Sequence, residues 1–427
     1  MRHSWRRIAV FVLAFAVTTA VVGVAVAARP GGGSGMLTIS DASVVEGNAG
    51  TAALAFTVQL TGAGKTAASV SYATSNGTAT APGDYAASSG TLTLDKRNRT
   101  RTFVVQVVGD TLDEADETLS VQLSNASGAT IADGSGLGTI VDDDGPPQPA
   151  TVIAAAGDIA CSPSDASYNG GQGSGLSCRQ LATSDLLVSG GYAAVLTLGD
   201  NQYENGEYPN FTVSYDASWG RVKSITHPSP GNHEYNTSGA AGYYQYFGAA
   251  AGDPAKGYYS FDVGGWHVVS LNSNCAAVGG CGAGSPQEQW LRADLSASSS
   301  AACTLAYWHH PRFSSGQHGS DSTYTAFWQA LYDANADLVL VGHDHDYERF
   351  APQTPSGALD TARGIRELVV GTGGKNLRAF ATIRAWSEAR DSTSAGILEL
   401  TLRANGYDWR FRPAVGSFTD AGSGSCH

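Results

Sequence analysis

The apolar run at residues 336–341, ending on Gly342-His343-Asp344-His345, limits most tightly what this chain can become. The run reads as a buried strand. Glycine lets the backbone leave a strand at angles other residues avoid. Two neutral imidazoles spaced i, i+2 at a strand end are a common metal-ligating pair, and strand ends are where α/β folds carry their sites. One such pair could equally be two exposed loop histidines, but the chain repeats the arrangement. Residues 151–156 run into Gly157-Asp158, and residues 194–198 run into Gly199-Asp200-Asn201-Gln202-Tyr203. Gly231-Asn232-His233-Glu234 precedes Tyr235, and residues 303–308 run into His309-His310-Pro311. Two aspartates, an asparagine, a tyrosine and three histidines suffice for two metal ions. Hard oxygen donors mixed with imidazole suit Fe, Mn or Zn. Helices are expected at 179–189, 286–295 and 323–334, and further strands at 266–271, 366–370, 396–400 and 407–411. That alternation predicts a C-terminal α/β sandwich of two mixed sheets flanked by helices, over residues 150–427.

Residues 36–144 read differently. They hold no cysteine, and Thr, Val, Ser and Ala dominate in an alternating pattern. Strands are expected at 37–39, 53–60, 68–73, 90–94, 102–108 and 118–123, separated by turn residues, so this part is an all-β, immunoglobulin-like sandwich. Its acids cluster near strand ends: Glu46, Asp84, Asp110, Glu114, Glu117, Asp142, Asp143 and Asp144. Carboxylates that converge repel each other unless a cation sits among them, and Ca²⁺ takes six to eight oxygens from flexible loops. The plainer alternative is a solvated acidic rim.

The ends and the composition bound the setting. Arg2, Arg6 and Arg7 precede a long apolar stretch and Ala25-Val26-Ala27, the pattern of a signal peptide over residues 1–28. Residues 29–35 are a Gly-rich linker, and Gly145-Pro146-Pro147-Gln148-Pro149 is a stiff connector between domains. Removing 1–28 removes three arginines and no acids, taking the formal charge from −13 to −16. Such a surface argues against nucleic acid as the main partner, and no second apolar stretch of spanning length argues for a membrane after signal cleavage. Six cysteines without CxxC zinc spacing suit disulfides in an oxidising, extracellular compartment. Fifteen pairings are possible. The local pairs Cys161–Cys178 and Cys275–Cys281 are expected, which leaves Cys303–Cys426 to tie down the tail.

Two resemblances sharpen these expectations. Val45-Glu46-Gly47, the segment 78–85 ending in Gly83-Asp84-Tyr85, the acidic segment 109–117 and Ile140-Val141-Asp142-Asp143-Asp144 resemble the Calx-beta family. The resemblance implies a seven-stranded sandwich that binds Ca²⁺ at one end through the acids named above. The ordered set Gly-Asp, Gly-Asp, Gly-Asn-His-Glu, His and Gly-His-x-His resembles the calcineurin-like metallophosphoesterases. Common members carry a histidine two residues after the first aspartate. Here that residue is Ala160, and Tyr203 follows Asp200 by three, as in the purple acid phosphatases.

The resemblance implies that Asp158, Tyr203 and His345 hold one metal, that Asn232, His309 and His343 hold the other, and that Asp200 bridges them. It implies Fe paired with Zn, Mn or Fe, the phenolate favouring Fe(III). His233 would bond a phosphate oxygen, and His318 would protonate the leaving group, although His318 could also be an exposed loop residue. His310 packs nearby or lines the cleft, and His227 and His267 read as structural. Gly371-Thr372-Gly373-Gly374 reads as a tight loop near the site.

The expected function is a secreted dinuclear-metal phosphoesterase that hydrolyses small phosphate monoesters by direct attack of metal-bound hydroxide, with no phospho-enzyme. The alternatives are a phosphodiesterase or nucleotidase on the same centre, and an inactive Ca-binding surface or matrix protein.

Overall fold

The computed structural model describes residues 35–62, 67–144, 150–299 and 301–427. The expected signal peptide, most of the linker at 29–35 and the connector at 145–149 lie outside the described residues. Gly35, the last residue assigned to that linker, already belongs to a strand. The described residues form two compact units, and each is taken by itself.

The first unit is a sandwich of nine strands: β1 (Gly35–Ile39), β2 (Ala42–Val45), β3 (Thr51–Thr61), β4 (Ala68–Asn76), β5 (Ser89–Leu94), β6 (Thr100–Val108), β7 (Glu117–Ser127), β8 (Ala129–Asp133) and β9 (Ser135–Val141). One sheet runs β6-β3-β1-β8 and the other β2-β9-β7-β4-β5. Alternation makes the core. Leu54, Phe56, Val58 and Leu60 of β3 face Val105 and Val107 of β6 and Leu119 and Val121 of β7 in one buried cluster. The count exceeds seven because the first strand breaks after Ile39, so β1 and β2 pair into different sheets. A turn at Gly128 also splits off β8, which pairs with β1.

The second unit holds thirteen strands: β10 (Thr151–Ala156), β11 (Ala194–Leu198), β12 (Thr226–Ser229), β13 (Tyr259–Val263), β14 (Trp266–Ser270), β15 (Thr304–Tyr307), β16 (Leu338–Val341), β17 (Tyr347–Phe350), β18 (Arg366–Val370), β19 (Ser387–Asp391), β20 (Ala395–Arg403), β21 (Gly406–Val415) and β22 (Ala421–Ser425). Two mixed sheets result, β12-β11-β10-β20-β21-β22 and β13-β14-β15-β16-β18-β17-β19. Strands β10, β11 and β12 are mutually parallel, as are β14, β15, β16 and β18.

The pleat explains why β16 is apolar throughout. Leu338 and Leu340 enter the core between the sheets. Val339 and Val341 point the other way, into a second core with Leu291, Phe327, Trp328 and Leu331 of the helices Pro286–Ala297 and Thr325–Asp333. The three expected disulfides are formed: Cys161–Cys178, Cys275–Cys281 and Cys303–Cys426. No helix among the described residues is long and apolar enough to cross a membrane.

His267 on β14 is buried and lies 2.9 Å from Asp294 on the helix Pro286–Ala297 and 3.0 Å from Asp262 on β13. The hydrogen bond His267 donates to Asp294 outweighs burial and raises its pKa above the ordinary imidazole value. A raised folded pKa gives stability that is complete below the unfolded value and is lost as pH rises through the folded one. His267→Asn should therefore lower the melting temperature more at about pH 5.5 than at about pH 8.5. Scanning calorimetry at both values checks this, and equal losses would contradict the ion-pair account.

Candidate metal centre

The parallel strands of both sheets end on one side, and their exits carry the residues singled out above. Asp158 follows β10, Asp200 follows β11, Asn232 and His233 follow β12, His309 follows β15, and His343 and His345 follow β16. Asp158, Asp200 and His343 leave their strands with positive φ of 58°, 47° and 70°. L-residues rarely adopt that backbone, and where they do the surroundings enforce it. Close approach sets the glycines. A Cβ on Gly342 would sit 2.8 Å from Asp158 Oδ2, and one on Gly231 would collide with the Asp200 carboxylate.

The side chains form two groups joined by one carboxylate. In the first, the Tyr203 hydroxyl donates to Asp158 Oδ1 at 2.8 Å, and His345 Nε2 lies 3.1 Å from that hydroxyl. In the second, His309 Nε2 is 3.1 Å from Asn232 Oδ1 and 3.2 Å from His343 Nδ1. Asp200 turns one oxygen to each: Oδ2 is 2.9 Å from the Tyr203 hydroxyl, and Oδ1 is 3.3 Å from His309 Nε2. Asp158, Asp200, Tyr203 and His309 are essentially inaccessible to solvent. Two imidazoles are fixed from behind. His309 Nδ1–H donates to the Leu198 carbonyl at 2.8 Å and His345 Nδ1–H to the Asn376 carbonyl at 2.7 Å, so each aims its Nε2 lone pair inward.

These groups suit a cation. Burial opposes charge on His309, yet Asp200 and Asp158 push its imidazole up to about 9. Burial and the same two carboxylates hold the Tyr203 phenol well above its ordinary range, so ionising it needs a positive charge in place of its proton. Burial and the neighbouring His309 and His310 push His343 far down, leaving it a neutral donor. Seven donors of the Asp, Tyr, His and Asn types converging on one buried volume are the donor chemistry of Fe, Mn or Zn.

The remaining expected residues are also located. Ala160 accepts the Tyr203 N–H at 2.9 Å, so the phenol enters from the Asp200 loop beside the position where a histidine is missing. His233 anchors Nδ1 on the Glu204 carbonyl at 2.6 Å and packs on the Tyr203 ring with centroids 4.3 Å apart. His318 lies against His343, centroids 4.1 Å apart, and its Nε2 accepts from Arg378 at 2.8 Å. It is thus an exposed loop residue, as the alternative has it, and one that stands at the rim of the centre. His310 packs 4.3 Å from the His343 ring, with Nδ1 on Ser273 Oγ at 2.8 Å. The Gly371–Gly374 loop abuts Asp158, and Lys375 N–H donates to the Asp158 carbonyl at 2.8 Å.

Several neighbours escaped the sequence reading. Glu234 is buried and accepts from the Gln202 and Gly231 N–H groups at 3.0 and 2.7 Å, tying the Asp200 loop to the Asn232 loop. Its place in the Gly231–Glu234 motif was the available signal. Lys375, whose Nζ lies 4.8 Å from the Tyr203 ring centre, and Arg378 had none.

In the first unit, ligand atoms of Glu46, Asp142 and Asp144 lie within 4.8 Å of one another. Burial, then Asp110, Asp142, Glu114 and Asp144, raises the Glu46 carboxyl to about 7. Asp84 and Glu117 stand together beside Glu114. Asp143 instead spends an oxygen on the Gly47 N–H at 2.9 Å.

Comparison with known proteins agrees with this geometry. Residues 34–144 match the family model described as Calx-beta domain, and residues 152–347 match that described as calcineurin-like phosphoesterase. The chain thus carries a segment matching a Calx-beta domain followed by one matching a calcineurin-like phosphoesterase, and purple acid phosphatases are among the proteins similar to it. Purple acid phosphatase 15 of Arabidopsis thaliana is 27% identical over 236 residues, covering 47% of this chain and 43% of that protein. An uncharacterised Mycobacterium tuberculosis protein is 29% identical over 212 residues, 41% of this chain and 40% of its own length. The chain thus spans less than half the length of these curated relatives. The solved purple acid phosphatase PPD1 from yellow lupin (Lupinus luteus) seeds shares the fold, with a TM-score of 0.51 at 18% identity over 91% of this chain and 74% of that one.

Gly231→Ala should cost about 1–3 kcal/mol by overpacking against Asp200. Urea unfolding of the metal-stripped protein checks this, and an unchanged midpoint would mean that the contact relaxes freely.

Proposed function

We propose that the chain is a secreted phosphoesterase that hydrolyses small phosphate monoesters at a centre of two metal ions. The observation that carries this reading is Asp200, whose two oxygens are divided between the Asp158–Tyr203–His345 group and the Asn232–His309–His343 group. When bound, a pair of ions clamps the phosphate oxygens and acidifies a water towards neutral pH. Iron at the Tyr203 group, with Zn, Mn or Fe at the other, fits the phenol donor. The protein does the rest. Glu234 locks the two loops that carry Asp200 and Asn232. His233, fixed through Nδ1, offers its other nitrogen to a phosphate oxygen. His318, once protonated on both nitrogens and so released from Arg378 at Nε2, would give one proton to the departing alcohol and return to the neutral imidazole that accepts from Arg378.

Secretion is supported by three disulfides and by the signal-like residues 1–28. In the first unit, Ca²⁺ is proposed to sit among Glu46, Asp110, Asp142 and Asp144, with Asp84, Glu114 and Glu117 alongside.

Purified protein should contain two transition-metal ions per chain, one of them iron, with a visible charge-transfer band. Elemental analysis and an absorption spectrum decide this, and a colourless, iron-free, active enzyme would put Zn or Mn in iron's place. Asp200→Asn should cost ~10²-fold or more in kcat on a monoester and lower the metal content. Full activity in that variant would end the hydrolase reading, and faster turnover of diesters than of monoesters would reassign the substrate. Ca²⁺ at a hundredfold excess over its Kd should stabilise the first unit by about 2.7 kcal/mol. Titration without heat or a melting shift would leave the acids a solvated rim.

A further inference from the structure

Between β15 and the 3₁₀ turn Ser322–Tyr324 the chain follows an irregular path whose middle is buried: Phe313, Ser314, Ser315 and Gly316 are all inaccessible. A buried stretch outside helix or sheet must satisfy each backbone N–H by other means. Here side chains do it. Glu367 accepts from the N–H groups of Arg312 and Phe313 at 3.0 and 2.9 Å. Glu348 accepts from the N–H of Ser315 at 2.7 Å and its hydroxyl at 2.6 Å. Asp344 accepts from the N–H groups of His318 and Gly319 at 2.8 and 3.1 Å, and from the Ser314 hydroxyl at 2.5 Å. The N–H groups of Ser314 and Gly316 donate to the hydroxyls of Ser320 and Ser314. Gln317 is exposed.

Strand geometry delivers the carboxylates together. Glu348 on β17 stands opposite Val369 on β18, and Glu367, two residues before Val369, faces the same side. Asp344 comes from the turn between His343 and His345 and presses on Gly316 so closely that a Cβ there would collide with it. Three buried acids are a costly way to hold a loop unless its position matters. What the loop carries is His318, set 4.1 Å from the His343 ring and 2.8 Å from Arg378. Arg378 is drawn in by the same structure: Ala381 N–H donates to the Ser315 carbonyl and Arg384 N–H to the Ser315 hydroxyl, both at 2.9 Å.

We propose that Asp344, Glu348 and Glu367 are positioning residues for the leaving-group step. They brace the loop 312–319 so that His318 and Arg378 stand at the rim of the metal centre. The proposal rests on the reading of His318 as the proton donor. It also gives a task to Glu348, which lies in the Tyr347-Glu348-Arg349 stretch after the last histidine motif.

The test compares two esters and one exchange experiment on the full-length, metal-loaded enzyme. Phenol, with a pKa of about 10, needs a proton to leave, whereas 2,4-dinitrophenol does not. Glu348→Gln keeps the shape but turns an amide towards the Ser315 N–H. Ser315→Ala, a milder change, guards against a fold that fails. Both should lower kcat on phenyl phosphate by about 10-fold or more, and on 2,4-dinitrophenyl phosphate by less than about 3-fold, as His318→Asn does. Amide exchange should quicken in 312–319 alone, with bound metal unchanged. Equal losses on both esters, or unchanged exchange in 312–319, would overturn the brace. If His318→Asn lowered both esters equally, the donor role would fall, and the exchange data alone would decide whether the loop is braced.

Discussion

Two buried carboxylates share one phenol. Asp158 and Asp200, both sealed from solvent, lie 2.8 and 2.9 Å from the Tyr203 hydroxyl, whose one proton serves both. Carboxylates placed this close in a protein interior repel each other and forgo hydration, so they persist only where positive charge or strong donors compensate. The rest of the second unit supplies that compensation. Imidazoles of His309 and His345 face the pair, backbone carbonyls fix the tautomers of both, and the backbone N–H of His343 donates to Asp158 Oδ2 at 2.8 Å. A cation pair satisfies the same demand more completely than protons do.

That constraint explains the architecture around it. Ligand side chains must arrive from five loops at bonding distance, which requires parallel strands of two facing sheets to end on one side. The strands are apolar on both faces because helices cover one side and the opposite sheet the other. Gly231 and Gly342 occupy points where a side chain would displace an aspartate. Around this core a further ring of carboxylates does work that water does elsewhere: Glu234 between two ligand loops, and Asp344, Glu348 and Glu367 beneath a third.

What could be read from the sequence follows from where signal is concentrated. Strands β10, β11 and β16 are short apolar runs ended by Gly, and that pattern survives without an alignment. Tyr203 was legible because Ala160 stands where a histidine would, and the two prove to be backbone neighbours. By contrast β12, Thr-His-Pro-Ser, carries neither alternation nor an apolar run, yet it delivers Asn232. Strands β2, β8 and β9 went unread because they are short or Gly-interrupted and gain their pairing from distant partners. Arg378 and Lys375 reach the centre from an irregular segment more than thirty positions beyond His343, where contacts depend on tertiary packing alone. His318 carries two readings, leaving-group donor and exposed loop residue; it is solvent-exposed, and its ring lies against that of His343.

The central claim is that two cations lie on either side of Asp200. Anomalous diffraction from crystals of the metal-loaded protein, collected at the iron and zinc edges, addresses it directly. The account expects two peaks about 3.5–4 Å apart, one contacted by Tyr203 and one by Asn232, with Asp200 reaching both. A single peak, or peaks outside the span from Asp158 to His309, would contradict it.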